Sequence, residues 1–213
     1  MSEEVLLSTA YFPPVEYFSV VARSRRVLIE REENYLKQTY RNRCVIMGSN
    51  GPLPLVVPVI RGSFHKTAIK DLRIDNSRRW RDLHLRVIRS AYAAAPFFEF
   101  YFDIINDVIS GNHLFLIDLN HDALSAICGA AGIPADISYT EKFLPEGISG
   151  NDFRYAIAPK RAPGVTGYTP VPYTQVFSQK HGFIPQLSII DMLLNNGPGT
   201  RALLLRSLEA DKC

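Results

Sequence analysis

The sequence predicts a mixed α/β fold. A strand, tight turn, helix and strand open the chain, a hairpin signal follows, and a helical half comes after. Val5 to Phe12 is an apolar run stopped by Pro13-Pro14, and Pro14 suits the first turn of a helix, where its missing N–H would be unpaired anyway. Residues 15–24 then place Val15, Phe18 and Ala22 on one helical face, and Arg26 to Glu30 carries the apolar Val27-Leu28-Ile29. This order is the start of a parallel α/β unit. The turn after its first strand belongs at the carboxyl end of the sheet, where such folds bind ligands.

Cys44 to Met47 and Leu55 to Ile60 read as strands joined across Asn50-Gly51, a hairpin turn signal. Pro58 assigns the second of them to an edge or a bulge. Ile69 to Ile74 reads as a short strand. Trp80 to Ala95 is the clearest helix, with Trp80, Leu83, His84, Val87, Ile88, Ala91, Tyr92 and Ala95 on the i, i+3, i+4, i+7 stripe. Pro96 separates it from a second helix, which runs from Phe97 through Ile109 to about Gly111. Asn120 is expected to cap a third over 121–131, closed by Gly132-Ile133-Pro134. Ile137 to Thr140 is a candidate strand. Residues 141–185 lack periodicity yet hold Phe143, Phe153, Tyr155, Tyr168, Tyr173, Phe177 and Phe183, so a wrapped, functional stretch is expected rather than a linker. Ser188 caps Ile189 to Leu194, and Thr200 caps a last helix through Leu208. One domain over residues 1–213 is the expected organisation.

Composition excludes several classes. With 213 residues, 24 basic against 21 acidic, the net charge of +3 is too mild for a nucleic-acid binder. Arg73, Arg78, Arg79, Arg81, Arg86 and Arg89 form a local basic run, either a solvated helix face or an anion-attracting surface. Cys44, Cys128 and Cys213 are too few and too far apart for a disulfide scaffold or a metal array. The acidic N-terminus and the lack of a long apolar run give an expected cytoplasmic protein with no membrane insertion. Dinucleotide, phosphate-loop, serine-hydrolase, zinc-protease and kinase signatures are all missing.

Several polar residues stand in non-random settings. Arg41-Asn42-Arg43 leads into a strand, where alternation would set the two arginines on one side and Asn42 on the other. Their planar forks suit a phosphate or carboxylate, with Lys37 near, or an ion-pair network with Glu30, Glu32 and Glu33. His84 lies on the apolar stripe, as a core histidine or as a general base, with Tyr92 on the same face. Asp152, Arg154 and Lys160 stand in the aperiodic stretch, followed by Gln175, Lys180 and His181-Gly182. Ser188 and Asp191 open the short helix, where a carboxylate is favoured by the dipole.

The segments STAYFPPVEYF, YLKQTYRNRCVIMGSNGPLPLVVPV, WRDLHLRVIRSAYAAAPFFEFY and HGFIPQLSIIDMLLNNGP, in that order, resemble the WbqC-like protein family. DFRYAIAPK resembles the form found in Bacteroides-type bacteria. That family is poorly characterised, and the resemblance implies no more than that some members are associated with the making of O-antigen or other surface polysaccharide. It carries over Tyr11, Phe12, Pro13, Tyr17, Lys37, Arg41, Asn42, Arg43, Trp80, His84, Tyr92, Pro96, Phe98, Glu99, Tyr101, His181, Gly182, Ser188, Asp191 and Gly197. Thr9-Ala10 departs from the Gln-Pro pair usual at that place, and Glu32-Glu33 stand where the family tends to have an acidic pair.

The expectation is an enzyme, transferase in type, acting on an anionic activated metabolite, or else a binding or assembly protein using the same basic residues. His84, His181, Glu99 and Asp191 are the candidate catalytic residues. Tyr11, Tyr17, Lys37, Arg41, Asn42, Arg43, Tyr92, Lys160, Gly182 and Ser188 are the candidates for substrate binding. The partner is a small anionic molecule. No metal is expected, and the sequence names no cofactor and no oligomeric state.

Overall fold

The structure is a computed structural model that describes residues 2–60, 67–147, 150–162 and 167–207. Cys213 and the end of the last helix at Leu208 lie outside them. The opening unit forms as its pattern dictates. Strand β1 (Ser2–Ser8) leads through the Pro13-Pro14 turn into helix α1 (Val15–Arg23), and strand β2 (Ser24–Glu30) returns parallel to β1. Strand β1 stops before Thr9, so residues 9–14 make the turn. Phe12 takes a positive φ of 37° there, a conformation held by its burial and by the Ser188 hydroxyl, which donates to its carbonyl at 2.7 Å.

Strand β3 (Arg43–Gly48) and strand β4 (Gly51–Val56) form a separate antiparallel hairpin. The second strand begins earlier than the expected Leu55. The two-residue Ser49-Asn50 turn starts pairing at once, and Gly51 takes the φ of 119° that its end requires. Pro52 and Pro54 fall inside β4, tolerated because β3 is its only strand neighbour among the described residues. Pro58 lies beyond the strand. Ile69 to Ile74 is not a strand: residues Ile69–Asp71 form a 3-10 turn, and only single bridges, Arg73 to Phe115 and Ile74 to Val59, continue from it.

The helical half follows as α2 (Trp80–Tyr92), α3 (Phe98–Ser110) and α4 (Leu116–Ala130). Leu83 sits on the expected apolar stripe of α2 yet is 51% exposed, so the buried face of that helix is narrower than its periodicity. Helix α4 starts at Leu116, which puts Asn120 inside it rather than at its cap. Strand β5 (Asp136–Tyr139) then pairs parallel with β2, giving the sheet order β1-β2-β5. The aperiodic stretch wraps back: Leu6 donates to the Asn151 carbonyl and accepts from Phe153 N–H on the free edge of β1. Helices α5 (Ser178–His181), α6 (Ile189–Asn196) and α7 (Thr200–Arg206) complete the described chain. Ser188 caps α6, its hydroxyl accepting from Ile190 N–H at 3.3 Å. Thr200 is the first residue of α7, with Gly199 at the cap. One buried apolar cluster draws on β1 to β4 and on α1 to α4, α6 and α7. No helix among the described residues is long and apolar enough to cross a membrane.

Candidate functional site

Two polar regions flank this core. The first lies at the carboxyl end of the parallel sheet. Residues Tyr40–Asn42 form a 3-10 turn, so strand alternation does not apply to them: Arg41 and Asn42 are both buried and Arg43 is half-buried. The Arg41 fork binds the Glu33 carboxylate through two bonds, at 2.8 and 2.6 Å. The Asn42 amide donates to the Val57 carbonyl, and Val57 N–H donates back to the Asn42 carbonyl, so Asn42 extends the hairpin pairing. Glu30, fully buried, accepts from Thr140 Oγ1 at 2.6 Å, Leu144 N–H at 2.9 Å and Arg154 Nη1 at 3.1 Å. Arg154 also grips Asp152 through Nε and Nη2, at 2.9 and 2.6 Å. Both guanidinium groups approach the Tyr155 ring, Arg41 at 5.9 Å and Arg154 at 5.6 Å from its centroid. These charges are paired and dry. They fasten the wrapped stretch to the sheet and leave the Arg41 fork filled by Glu33.

The second region surrounds the tip of the hairpin. Gln175 closes the loop that carries α5: its amide donates to the Ile184 carbonyl and its side-chain oxygen accepts from Ile184 N–H, both at 2.9 Å. Gly182 ends α5 with φ of 70°, a left-handed conformation that suits glycine. The closed loop holds α5 over the hairpin, where Lys180 Nζ and His181 Nε2 both reach the Ser49 carbonyl, at 2.8 and 3.1 Å. A carbonyl only accepts, so Nε2 of His181 carries a proton and, in the neutral ring, Nδ1 keeps the basic lone pair.

Beneath the loop, Asp191 in the first turn of α6 accepts from Tyr92 Oη at 2.9 Å, Tyr173 Oη at 2.8 Å and Gln175 Nε2 at 3.2 Å. Tyr92 Oη in turn accepts from Met47 N–H at 3.0 Å. One carboxyl thus ties α2, α6, β3 and the loop together. Burial raises the Asp191 pKa to about 6, against the pull of its three donors. Between the hairpin, α2 and α5 lies a groove of about 470 Å³, within the usual size of a small-molecule site. Leu53, Leu83, Val87 and Phe177 line its apolar part; Ser49, Ser90 and Arg86 supply polar groups.

His84 belongs to neither region. It is 1% exposed, and its Nδ1 is 3.0 Å from Tyr11 Oη. Burial lowers its pKa to about 4, and a backbone hydrogen bond at Val56 offsets only part of that. The Trp80 ring meets it edge-on with centroids 5.2 Å apart. Tyr17, also buried, donates to the Ser8 carbonyl at 2.9 Å. Cys44 and Cys128 are buried, and desolvation pushes both thiols up to about 12. Lys37, Glu99 and Lys160 are exposed.

The sequence-predicted residues therefore divide. Tyr92, His181, Gly182, Ser188 and Asp191 gather around α6 and the hairpin. Arg41, Asn42 and Tyr17 hold the end of the sheet, while Tyr11 pairs with His84 inside the core. Arg43 opens β3 opposite Val56, with its Nε bonded to nothing among the described residues. Tyr173 carried no sequence signal beyond an aromatic ring needing burial, and Arg86 none beyond its place in the arginine run. Among the described residues, no three His, Cys, Asp or Glu side chains are grouped to hold a metal ion.

The sequence profile of the WbqC-like protein family matches residues 9–161. The chain belongs to the WbqC-like family. That match covers the sheet end, the hairpin and α2 to α4, and stops before the loop that carries His181. A relative, the uncharacterized protein Rv1507c of Mycobacterium tuberculosis, is 26% identical over 224 residues, covering 92% of this chain and 95% of that protein. That alignment is long enough to reach beyond the profile match.

Proposed function

We propose that this WbqC-like chain, folded as a single cytoplasmic domain, binds an anionic activated metabolite in the groove between the hairpin, α2 and α5. The carrying observation is the composition of that groove. Its apolar wall of Leu53, Leu83, Val87 and Phe177 suits an acyl chain or a base, and among the described residues Arg86 is the only charged one that lines it. Lys180 and His181 stand beside it on the Ser49 carbonyl. The basic face of α2 adds attraction for an anion.

The reaction type we assign is transfer to an amine or hydroxyl without a covalent enzyme intermediate. His181 Nδ1 takes the acceptor's proton as the acceptor's lone pair forms the new bond, and the nucleotide or coenzyme A thiolate leaves with the electron pair of the old one. Asp191, through Gln175, positions the loop that carries His181. In the surface-polysaccharide setting that the family resemblance implies, the donor is a nucleotide-sugar or an acyl-coenzyme A.

A second reading, ligand binding without catalysis, has one observation in its favour. His84, the other histidine among the candidate catalytic residues, is sealed in the core. A thermal-shift screen with nucleotide-sugars and acyl-coenzyme A tests both readings. A ligand at a hundred times its Kd adds about 2.7 kcal/mol of stability, and Arg86→Ala should remove that gain. Turnover lost in His181→Ala, with ligand binding kept, supports catalysis. Binding with no turnover in either protein supports the second reading. No shift with any anionic metabolite ends both.

A further inference from the structure

At the carboxyl end of the parallel sheet, apart from the groove, a crevice lies between the β1–α1 turn, α4 and β5. Thr9, Tyr17, Asn120, His121, Leu124 and Tyr139 are among the residues that line it. It is narrow: the space open to a water-sized sphere is about 10 Å³, enough for one small polar group. The groove sits at the far end of β3, and that six-residue strand alone separates Gly48 from the Asn120 side by roughly 20 Å.

The polar atoms around the crevice have a fixed sense. The Asn120 amide nitrogen donates to Thr9 Oγ1 at 3.1 Å and to the Arg41 carbonyl at 2.8 Å. Both partners accept, so the amide cannot be flipped, and Oδ1 is its free end. Asn120 is 2% exposed, and that Oδ1 meets no partner among the described residues. His121 Nδ1, on the next residue, is also buried and unmatched. A buried acceptor left unpaired is costly, and natural proteins keep such atoms where something else completes them. Thr9 Oγ1 accepts from Asn120, which leaves its own hydrogen to donate. The charges close by, Glu33 with Arg41 and Glu30 with Arg154, cancel in pairs, so the crevice makes no demand for an anion.

We infer that this crevice is a second ligand site, distinct from the groove, that takes the hydroxyl or amino end of a small uncharged or cationic metabolite. The donor group of the ligand pairs with Asn120 Oδ1 and His121 Nδ1, and the Thr9 hydroxyl returns a bond to it. Asn120 links the site to Arg41, so occupancy also braces the turn that leads into β3. The remainder of the ligand extends past Tyr139, on whose hydroxyl the charges of Asp118 and Asp122 act against the opposing charge of Arg31.

Ethanolamine, which carries both donor groups, is the probe, and tetramethylammonium, a cation with no hydrogen to donate, is the control. Titration is followed by NMR at the Asn120 side-chain amide and the His121 ring. Ethanolamine should give saturable shifts at both, and tetramethylammonium none. His121→Phe and Thr9→Val should each weaken ethanolamine binding about fivefold, as expected for one lost hydrogen bond. His121 is only half-buried, and Thr9→Val keeps shape, so at least one variant remains folded for the comparison. Equal responses to both probes, no saturable response, or unchanged affinity in the folded variants would overturn the proposal. These outcomes do not bear on the groove, which is read by nucleotide-sugars and acyl-coenzyme A.

Discussion

The two ends of β3 use polar residues in opposite ways. At its start, Arg41, Glu33, Glu30, Arg154 and Asp152 are drawn into a dry lattice in which each charge has a partner. At its finish, the hairpin tip meets few polar side chains: Arg86 lines open, partly apolar space, and Lys180 and His181 stand beside it on the Ser49 carbonyl. The residue type that most resembles an anion site in the sequence thus builds framework, and a less conspicuous arginine faces the groove. A guanidinium is available to a ligand only where the fold has not already supplied a carboxylate.

The largest expected effect breaks the lattice. Arg154→Met strands the fully buried Glu30 and should cost about 3–5 kcal/mol in urea unfolding, as for other buried pairs cut on one side. Replacing Arg41 and Glu33 together by Met and Leu should cost much less than removing Arg41 alone. A small effect of Arg154→Met would mean that the lattice is not sealed.

A second effect concerns the two buried titrating groups, which oppose each other. His84 has its pKa lowered from 6.5 to about 4, so the stability it contributes is present above 6.5 and is lost as pH falls toward 4. Asp191 has its pKa raised from 3.8 to about 6, so its contribution is fully present below 3.8 and is lost as pH rises through 6. Each is worth about 3 kcal/mol by linkage, so between pH 4 and 6 they nearly cancel. Unfolding free energies across that window should give opposite slopes, rising with pH in Asp191→Asn and falling in His84→Gln. Parallel slopes would contradict the assigned environments.

A third, smaller effect sharpens the contrast at the groove. Tyr92→Phe removes one donor to Asp191 and the partner of Met47 N–H, and should destabilise by about 1–3 kcal/mol. The smallest belongs to the exposed groove wall. Leu83→Asp should change stability by no more than about 0.5 kcal/mol yet abolish the ligand-induced rise in Tm.

What the sequence revealed follows the same division. The β1–α1–β2 opening, the hairpin signalled by Asn50-Gly51, the helices α2 and α3 and the Ser188 cap are all announced by residues within a few positions of one another. Strand alternation did not reach Arg41, which lies in a 3-10 turn, and of the two readings the sequence left open for it the fold realised the ion pair, with Glu33. Asn120 has the residue type of a cap, but its role comes from Thr9 and Arg41, far away in sequence. Glu30 and Arg154 are 124 residues apart, and no local pattern announces such a pair. The charge count showed that carboxylates were available to Arg41, and only the tertiary fold decided which one it met.

The central claim, that the charged lattice at the sheet end is framework and the hairpin groove is the site of the anionic metabolite, is tested most directly by mapping backbone amide shifts. The protein would be titrated with a nucleotide-sugar or acyl-coenzyme A that raises its Tm. Shifts concentrated in residues 48–53, 83–91 and 177–182 are predicted. Shifts concentrated in residues 30–33, 41–43 and 152–155, with the groove residues unmoved, would contradict it.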